Sequence, residues 1–299
     1  MSKHYSGFVN IVGKPNVGKS TLLNAMLGEK MSIITHKPQT TRHRILGILS
    51  DENHQIIFSD TPGVIDQPGY KMQKAMNDAA FSIFEDADLV LFVTEPEDKY
   101  EGDEKIIDKL NETQAPKFLV INKVDISDSQ TLKELEELWM ERVKFDACIM
   151  VSALEKAGTD HLVNLIVEKL PEGPVYYPKD QISDKSVRFF VSEIIREKIL
   201  EIYHQEIPYS SEVVVTEFKE SEKNGKDFVR IRAEIFVMRS SQKNIIIGKA
   251  GSSIKQLGIL ARKDIEKFLE KKVHLELFVK VKEKWRDDDR LLKSFGYLQ

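Results

Sequence analysis

Short apolar runs alternate with longer amphipathic stretches over the first 170 residues. Runs at 8–12, 45–50, 55–59, 89–93, 118–121 and 148–151 have the length and composition of strands. Between them, apolar residues recur at helical spacing near 21–27, 71–85, 101–113, 131–143 and 159–170, and Gly28 marks the end of the first of these. Strands apolar on both faces and separated by helices predict a mostly parallel sheet covered on both sides.

The pattern changes after Pro171-Glu172-Gly173-Pro174, which stops the last helix, and residues 178–185 are polar and turn-rich. Residues 188–204 place Val191, Ile194, Ile195, Ile199 and Ile202 on one helical face. Alternating runs at 212–218 and 228–237 predict two strands joined across Asn224-Gly225, a strong hairpin signal. A short helix then leads into Gly248-Lys249-Ala250-Gly251. The helix after it carries Ile254, Leu257, Ala261, Ile265 and Phe268 on one face, and residues 273–281 close as a strand. Helix, two strands, two helices and a strand make an α+β module. The expected division is 1–172 for the first domain, 173–186 for a linker and 187–299 for the second, with no internal repeat or low-complexity tract.

Composition changes the picture little. A chain of 299 residues suits two domains, and 41% hydrophobic residues is ordinary for a globular protein. No apolar run reaches the roughly 18 residues of a membrane span, and the opening Met1-Ser2-Lys3-His4-Tyr5 has no apolar signal core, which favours the cytoplasm. Cys148 is the one cysteine, so no internal disulfide forms. Charge is more informative. Residues 1–180 carry 20 basic and 29 acidic side chains, whereas 181–299 carry 24 and 19. Within 239–286 the count is 13 basic against 5 acidic, a local excess that suits a polyanionic partner or a merely solvated face.

Three motifs in order then point to a guanine nucleotide. Gly13-Lys14-Pro15-Asn16-Val17-Gly18-Lys19-Ser20, followed by Thr21, fits the phosphate-loop pattern after a strand. Its backbone N–H groups would surround the phosphates at a helix N-terminus, Lys19 would neutralise the β/γ-phosphates and Ser20 would bind Mg²⁺. Asp60-Thr61-Pro62-Gly63 also follows a strand, with Asp60 on the metal side and the Gly63 N–H aimed at the γ-phosphate. Between them, Pro38-Gln39-Thr40-Thr41-Arg42 reads as a switch in which Thr41 adds a hydroxyl to the metal while the γ-phosphate is present. Asn122-Lys123-Val124-Asp125 supplies a carboxylate, Asp125, that accepts from guanine N1–H and its exocyclic amine. Adenine would leave that carboxylate unpaired, at a cost of about 1–3 kcal/mol. The backbone amides of Ser152 and Ala153 are expected at the guanine oxygen. Catalysis is assigned to Lys19, Ser20, Thr41 and Gly63, acting by positioning and electrostatics. His36, His43 and His54 lack metal-site spacing, and Met72 and Met76 read as packing.

A lone G-x-x-G is usually just a turn. Here Ile245-Ile246-Ile247 precedes it, Ser252-Ser253-Ile254 follows, and the charge excess and element order surround it. That combination has the form of a KH-domain loop, which clamps the backbone of single-stranded nucleic acid. Ile247, Gly248, Lys249, Ala250, Gly251, Ser252 and Lys255 are therefore the expected RNA contacts, and the closing strand resembles the type II version of the domain. The fold class expected is an α/β P-loop GTPase domain, mostly parallel with helices on both faces, followed by an α+β type II KH domain.

Taken together, G-K-P-N-V-G-K-S at 13–20, Q-T-T-R-H at 39–43, D-T-P-G at 60–63, N-K-V-D at 122–125, S-A-L at 152–154 and I-I-G-K-A-G at 246–251 resemble the Era family of ribosome-assembly GTPases over essentially the whole chain. The ending from Trp285-Arg286-Asp287 to Gly296-Tyr297 is similar too. The resemblance implies GTP hydrolysis to GDP with Mg²⁺, binding to the 3′ end of small-subunit ribosomal RNA, a role in maturing the small ribosomal subunit, and peripheral contact with the inner face of the membrane. A monomer is expected. Related GTPases with P-N-V-G-K-S hold K⁺ with the asparagine, which implies K⁺ at Asn16. Val64 stands where Ras has its water-orienting glutamine, so intrinsic hydrolysis is expected to be slow. Two rivals remain: an RNA-binding assembly factor with GTP as a structural ligand, and a translation or tRNA-modification GTPase, which would lack the terminal KH-like module.

Overall fold

The computed structural model describes residues 3–35, 37, 39–65, 67–82, 84–98, 104–223 and 226–298. The expected Asn224-Gly225 turn, His36 and Pro38 lie outside them. Contacts divide the chain into two units. The first takes in residues up to Gly69 and from Gln73 to Asp184; the second takes in Tyr70–Met72 and Lys185 onward.

Up to Lys169 the elements are β1 (Tyr5–Val12), α1 (Lys19–Leu27), β2 (Ile45–Ser50), β3 (His54–Asp60), α2 (Lys71–Ser82), β4 (Leu89–Thr94), α3 (Glu104–Glu112), β5 (Lys117–Ile121), α4 (Ser129–Arg142), β6 (Ala147–Met150) and α5 (Thr159–Lys169). Strand order is β2-β3-β1-β4-β5-β6, parallel throughout except where β2 runs against β3. The period of two along each strand divides its apolar residues between the two faces. In β4, Leu89, Leu91 and Val93 join one buried cluster while Val90 and Phe92 join the other. Trp139 of α4 is fully buried, with its ring edge-on to Phe92 at 4.6 Å. Asp128 starts α4 by accepting from the Gln130 and Thr131 amides, both at 3.0 Å, a cap worth about 1 kcal/mol. Met72 and Met76 are buried, as packing residues should be.

The stretch after Pro171 looks polar and linker-like in sequence, yet it is tied to the sheet. The Ile48 amide donates to the Ile182 carbonyl at 3.0 Å, and the Ser183 hydroxyl donates to the Leu46 carbonyl at 2.6 Å. Gln55, buried in β3, accepts from the amides of Tyr176 and Tyr177 and donates to the Tyr177 carbonyl. The stretch thus pairs backbone groups that an edge strand would leave open.

In the second unit, α6 (Val187–Ile202) and α7 (Ile207–Ser210) precede β7 (Glu212–Lys223) and β8 (Lys226–Val237), followed by α8 (Ser240–Ile247), α9 (Ser252–Leu269), β9 (Lys272–Val281) and α10 (Asp289–Ser294). β8 lies between antiparallel β7 and parallel β9. The apolar faces of α6 and α9 meet this sheet in one cluster, with Val191, Ile195, Ile199, Leu257, Ala261 and Ile265 buried. Two features gave no pattern in sequence. Arg196 and Glu193 are both buried on α6 and pair through the guanidinium at 2.8 and 2.5 Å, which offsets their desolvation. Trp285 is fully buried after β9, and its indole N–H donates to the Ser210 carbonyl at 3.0 Å.

Candidate functional site

β1 lies between β3 and β4, so chain connections leave it in opposite directions and open a crevice at the carboxyl ends of the strands. The phosphate loop fills that position, beside a cavity of about 450 Å³. Pro15, Asn16, Gly18, Lys19, Ser20, Thr21, Thr41, Thr61, Gly63, Asn122, Lys123 and Asp125 line it, all sequence candidates. Gly13, Lys14, Val17, Asp60 and Pro62 support the same loops without lining the cavity. Asn122 braces the site from within: its Nδ2 donates to the Val17 carbonyl at 2.9 Å. Gly63 cannot be replaced without movement, because a β-carbon there would fall 2.6 Å from Pro15 Cγ and 2.9 Å from its nitrogen. Close approach of these two backbones puts the Gly63 amide beside the phosphate loop.

Lys19 is buried, and its ammonium donates to the carbonyls of Gly13 at 2.9 Å and Lys14 at 2.7 Å. Two of the three ammonium donors are thus fixed by the loop itself, which aims the side chain. Burial lowers the Lys19 pKa to about 8, against the opposing pull of Asp60. Burial also raises the Asp60 pKa, against hydrogen bonds from Ser20 and Ser32 and the charge of Lys19. Each group is thus pushed toward neutrality, a condition that anionic phosphates and a cation would reverse.

Three oxygens converge beside them. The Ser20 hydroxyl donates to Asp60 Oδ2 at 2.7 Å and lies 2.9 Å from the Thr41 hydroxyl. Asp60 Oδ1 is buried with no hydrogen-bond partner. A hard divalent cation takes oxygen ligands of this kind, so Ser20, Thr41 and Asp60 fit Mg²⁺. Ser32, which sequence reasoning missed, also donates to Asp60 Oδ2, at 2.9 Å. It is held by Asn24 of α1, whose Oδ1 accepts from the Ser32 amide at 2.9 Å.

The Ser152 and Ala153 amides, expected at the guanine oxygen, have partners within the protein. Ser152 N donates to the Ala157 carbonyl and Ala153 N to Asn122 Oδ1, both at 3.0 Å. Leu154 is the residue of that loop that lines the cavity, together with Ile126, which directly follows the asparagine motif. Apolar walls suit a flat base, but a single exposed leucine gives no sequence signal. Ile33, Ile34, Thr35, Gln39 and Thr40 also reach the cavity. Lys123 pairs with Glu95, and Lys14 with buried Asp98 at 2.7 Å, so the acidic turn after β4 steadies two nucleotide motifs. Asn16, Gln39 and Lys123 hold left-handed backbone (φ 70°, 58° and 60°), a conformation that concentrates at working sites. Val64 is half-buried and packs against the second core cluster of the sheet. His54 pairs with Asp51 at 2.8 Å, and among the described residues no cluster of histidine, cysteine and carboxylate ligands occurs.

In the second unit, α8 ends at Gly248 and α9 begins at Ser252. Gly248 has φ 71°, and a β-carbon on it would meet Ser253 Cβ at 2.5 Å. Lys249 and Ala250 are exposed at the tip, with Ile247 and Gly251 half-exposed beside them and Ser252 and Lys255 open on the following helix. A groove of about 350 Å³ runs from there, lined by Ile254, Lys255, Gly258, Ile259, Arg262, His274, Leu275 and Leu277. Ile259 and Arg262 were legible as the positions four and seven beyond Lys255 on one helical face; His274 needed the strand pairing to bring it in.

A family model described as 50S ribosome-binding GTPase matches residues 8–123, and one described as KH domain matches 206–286. GTPase Era of Clostridium botulinum (strain Langeland) is 46% identical, with 98% of each chain covered. GTPase Era of Geobacter metallireducens is 48% identical, over 98% of this chain and 97% of that one. The crystal structure of Era in complex with MgGDPNP and nucleotides 1506–1542 of 16S ribosomal RNA superposes with a TM-score of 0.92 at 38% identity, over 99% of this chain and 100% of that one. An Aquifex aeolicus Era variant bound to GDP·AlF4⁻ gives 0.93 at 38%, with the same coverage.

Proposed function

The chain belongs to the Era family of GTPases, and from that premise we propose that it hydrolyses GTP and uses the nucleotide as a switch on binding the 3′ region of small-subunit ribosomal RNA during subunit assembly. The observation that carries the first half is the meeting of Lys19, Ser20, Thr41 and Asp60 around one crevice with Asp125 at its far wall. Lys19 gives two of its three N–H groups to the Gly13 and Lys14 carbonyls and would give the third to the β/γ-phosphates, with the Gly63 amide supporting the γ-phosphate. Ser20, Thr41 and Asp60 would hold Mg²⁺, which supplies positive charge to the phosphate oxygens. No polar side chain at 64 is present to orient water, so basal turnover is slow.

The RNA half draws on the KH match, the exposed Lys249–Ala250 tip and the groove beside it. The description of the first family model mentions the 50S subunit, but it covers only the nucleotide unit; the full-length relative holds 16S RNA. The full-length comparison includes the RNA-gripping unit and therefore carries more weight. The same reading takes the protein as a cytoplasmic monomer whose membrane contact, where it occurs, is peripheral; among the described residues no helix is long and apolar enough to cross a membrane.

The test is multiple-turnover phosphate release, with and without an RNA spanning nucleotides 1506–1542 of 16S ribosomal RNA. Repeated turnovers support an enzyme; a single bound GTP that is never consumed supports a structural ligand instead. K⁺ joins the reading through Asn16, which lines the phosphate end of the cavity. Turnover should be about tenfold faster in K⁺ than in Na⁺ at equal ionic strength, and Asn16→Ala should erase the difference. Equal rates in both salts would remove the monovalent cation.

A further inference from the structure

The Gly248–Gly251 loop has left-handed backbone at Ala250 (φ 51°) as well as at Gly251 (φ 77°). For alanine that conformation costs about 1–2 kcal/mol, so something outside the loop must hold it. Within it, the Gly251 amide donates to the Gly248 carbonyl at 3.2 Å. The larger constraint comes from the end of α6. Tyr203 is buried there, 5% exposed, and its hydroxyl reaches both flanks of the loop. It donates to the Ile246 carbonyl at 2.9 Å and lies 3.0 Å from the Ser253 hydroxyl. A phenol has one proton to give. With that proton on the carbonyl, the Ser253 hydroxyl must donate to Tyr203. The Ile246 carbonyl belongs to the last turn of α8, where helices leave carbonyls without an internal partner. Ser253 belongs to the first turn of α9. One buried hydroxyl therefore ties the end of one helix to the start of the next, across the turn that presents Lys249 and Ala250.

We propose that Tyr203 is a positioning residue for RNA binding: its hydroxyl bridge from Ile246 to Ser253 holds the Gly248–Gly251 loop in the shape that clamps the RNA backbone. The tyrosine itself does not touch RNA. It reduces the ordering that the loop would otherwise undergo on binding. The inference rests on the reading of this loop as the RNA grip.

The experiment compares the full chain with Tyr203→Phe, with Ser253→Ala, with both together, and with the double change Lys249→Asp/Ala250→Asp. Each is titrated with an RNA spanning nucleotides 1506–1542 of 16S ribosomal RNA at several salt concentrations. Tyr203→Phe keeps the ring and removes the bridge, and should weaken binding about five- to tenfold. The salt slope should stay at the wild-type value, because the phosphate contacts are still made. Amide exchange at Gly248–Ser253 should quicken, while GTP turnover without RNA stays as it is. Ser253→Ala should show a smaller loss, and combining it with Tyr203→Phe should add little, since both break one bridge. Should Tyr203→Phe prove unstable, Ser253→Ala decides: wild-type affinity and exchange in it overturn the proposal. The proposal also falls if Tyr203→Phe binds within twofold of wild type while the double Asp variant loses RNA. Wild-type binding by the double Asp variant sinks the reading of the loop itself.

Discussion

Asp125 and Cys148 make two predictions that depend on single side chains. Asp125 lies in a turn between β5 and α4, at the cavity edge, where a carboxylate can accept two guanine donors. Asp125→Asn should shift preference from guanine to xanthine nucleotides, because an amide can donate to the 2-oxo group that a carboxylate repels. Competition binding reads this directly, and a wide remaining preference for GTP would remove Asp125 as the base reader. Cys148 on β6 is half-buried, and burial with the Glu136 carboxylate beside it pushes the thiol up to about 12. The thiolate is the reactive form, so iodoacetamide labelling of the folded protein should keep rising about tenfold per pH unit from 7 to 10. In denaturant the rise should level off near the ordinary thiol pKa of about 8.5. A plateau below pH 9 in the folded protein would contradict the assigned environment. At this scale much was legible, because phosphate loops and base readers need contiguous residues. Ser32 was not: its place beside Asp60 depends on Asn24 turning the chain back after α1.

Element by element, alternation and helical spacing placed the strands and helices to within a few residues, since burial on one or two faces imposes its period directly. The exceptions are segments whose order comes from distant partners. The stretch after Pro171 is polar, yet Gln55 receives two of its amides and donates to one of its carbonyls. Gln55→Ala should leave those groups buried and unpaired, and lower stability of the first unit by about 1–3 kcal/mol in urea unfolding. A change below 0.5 kcal/mol would mean that water replaces the amide. Trp285 is the corresponding case in the second unit. Its ring is enclosed after β9 and stands edge-on to Phe295 at 5.6 Å, so Trp285→Ala should cost about 3–5 kcal/mol. Near-wild-type melting of that variant would show that the C-terminal segment is dispensable to the unit.

For the whole molecule, a switch requires that nucleotide and RNA affinities be coupled, and coupling is reciprocal. If a GTP analogue tightens RNA binding by some factor relative to GDP, RNA must raise the preference for the analogue over GDP by the same factor. Measuring both arms checks the switch: identical RNA affinity in the two nucleotide states would reduce the protein to two independent binding units. The sequence by itself pointed to two such units and their fold classes, because each nucleotide motif lies within eight consecutive residues and the KH reading rests on element order and local charge, which also run along the chain. Tertiary structure decided what those motifs can reach. It turned the Ser152 and Ala153 amides to other partners, set Ser32 against Asp60, and bound a linker-like stretch to a sheet edge. It also brought Tyr203 to Ile246 and Ser253, 43 and 50 residues away. Apolar periodicity and local motifs act over a few residues and can be read along the chain. A hydrogen bond between distant residues leaves no such period, and exists only once packing has brought its two ends together.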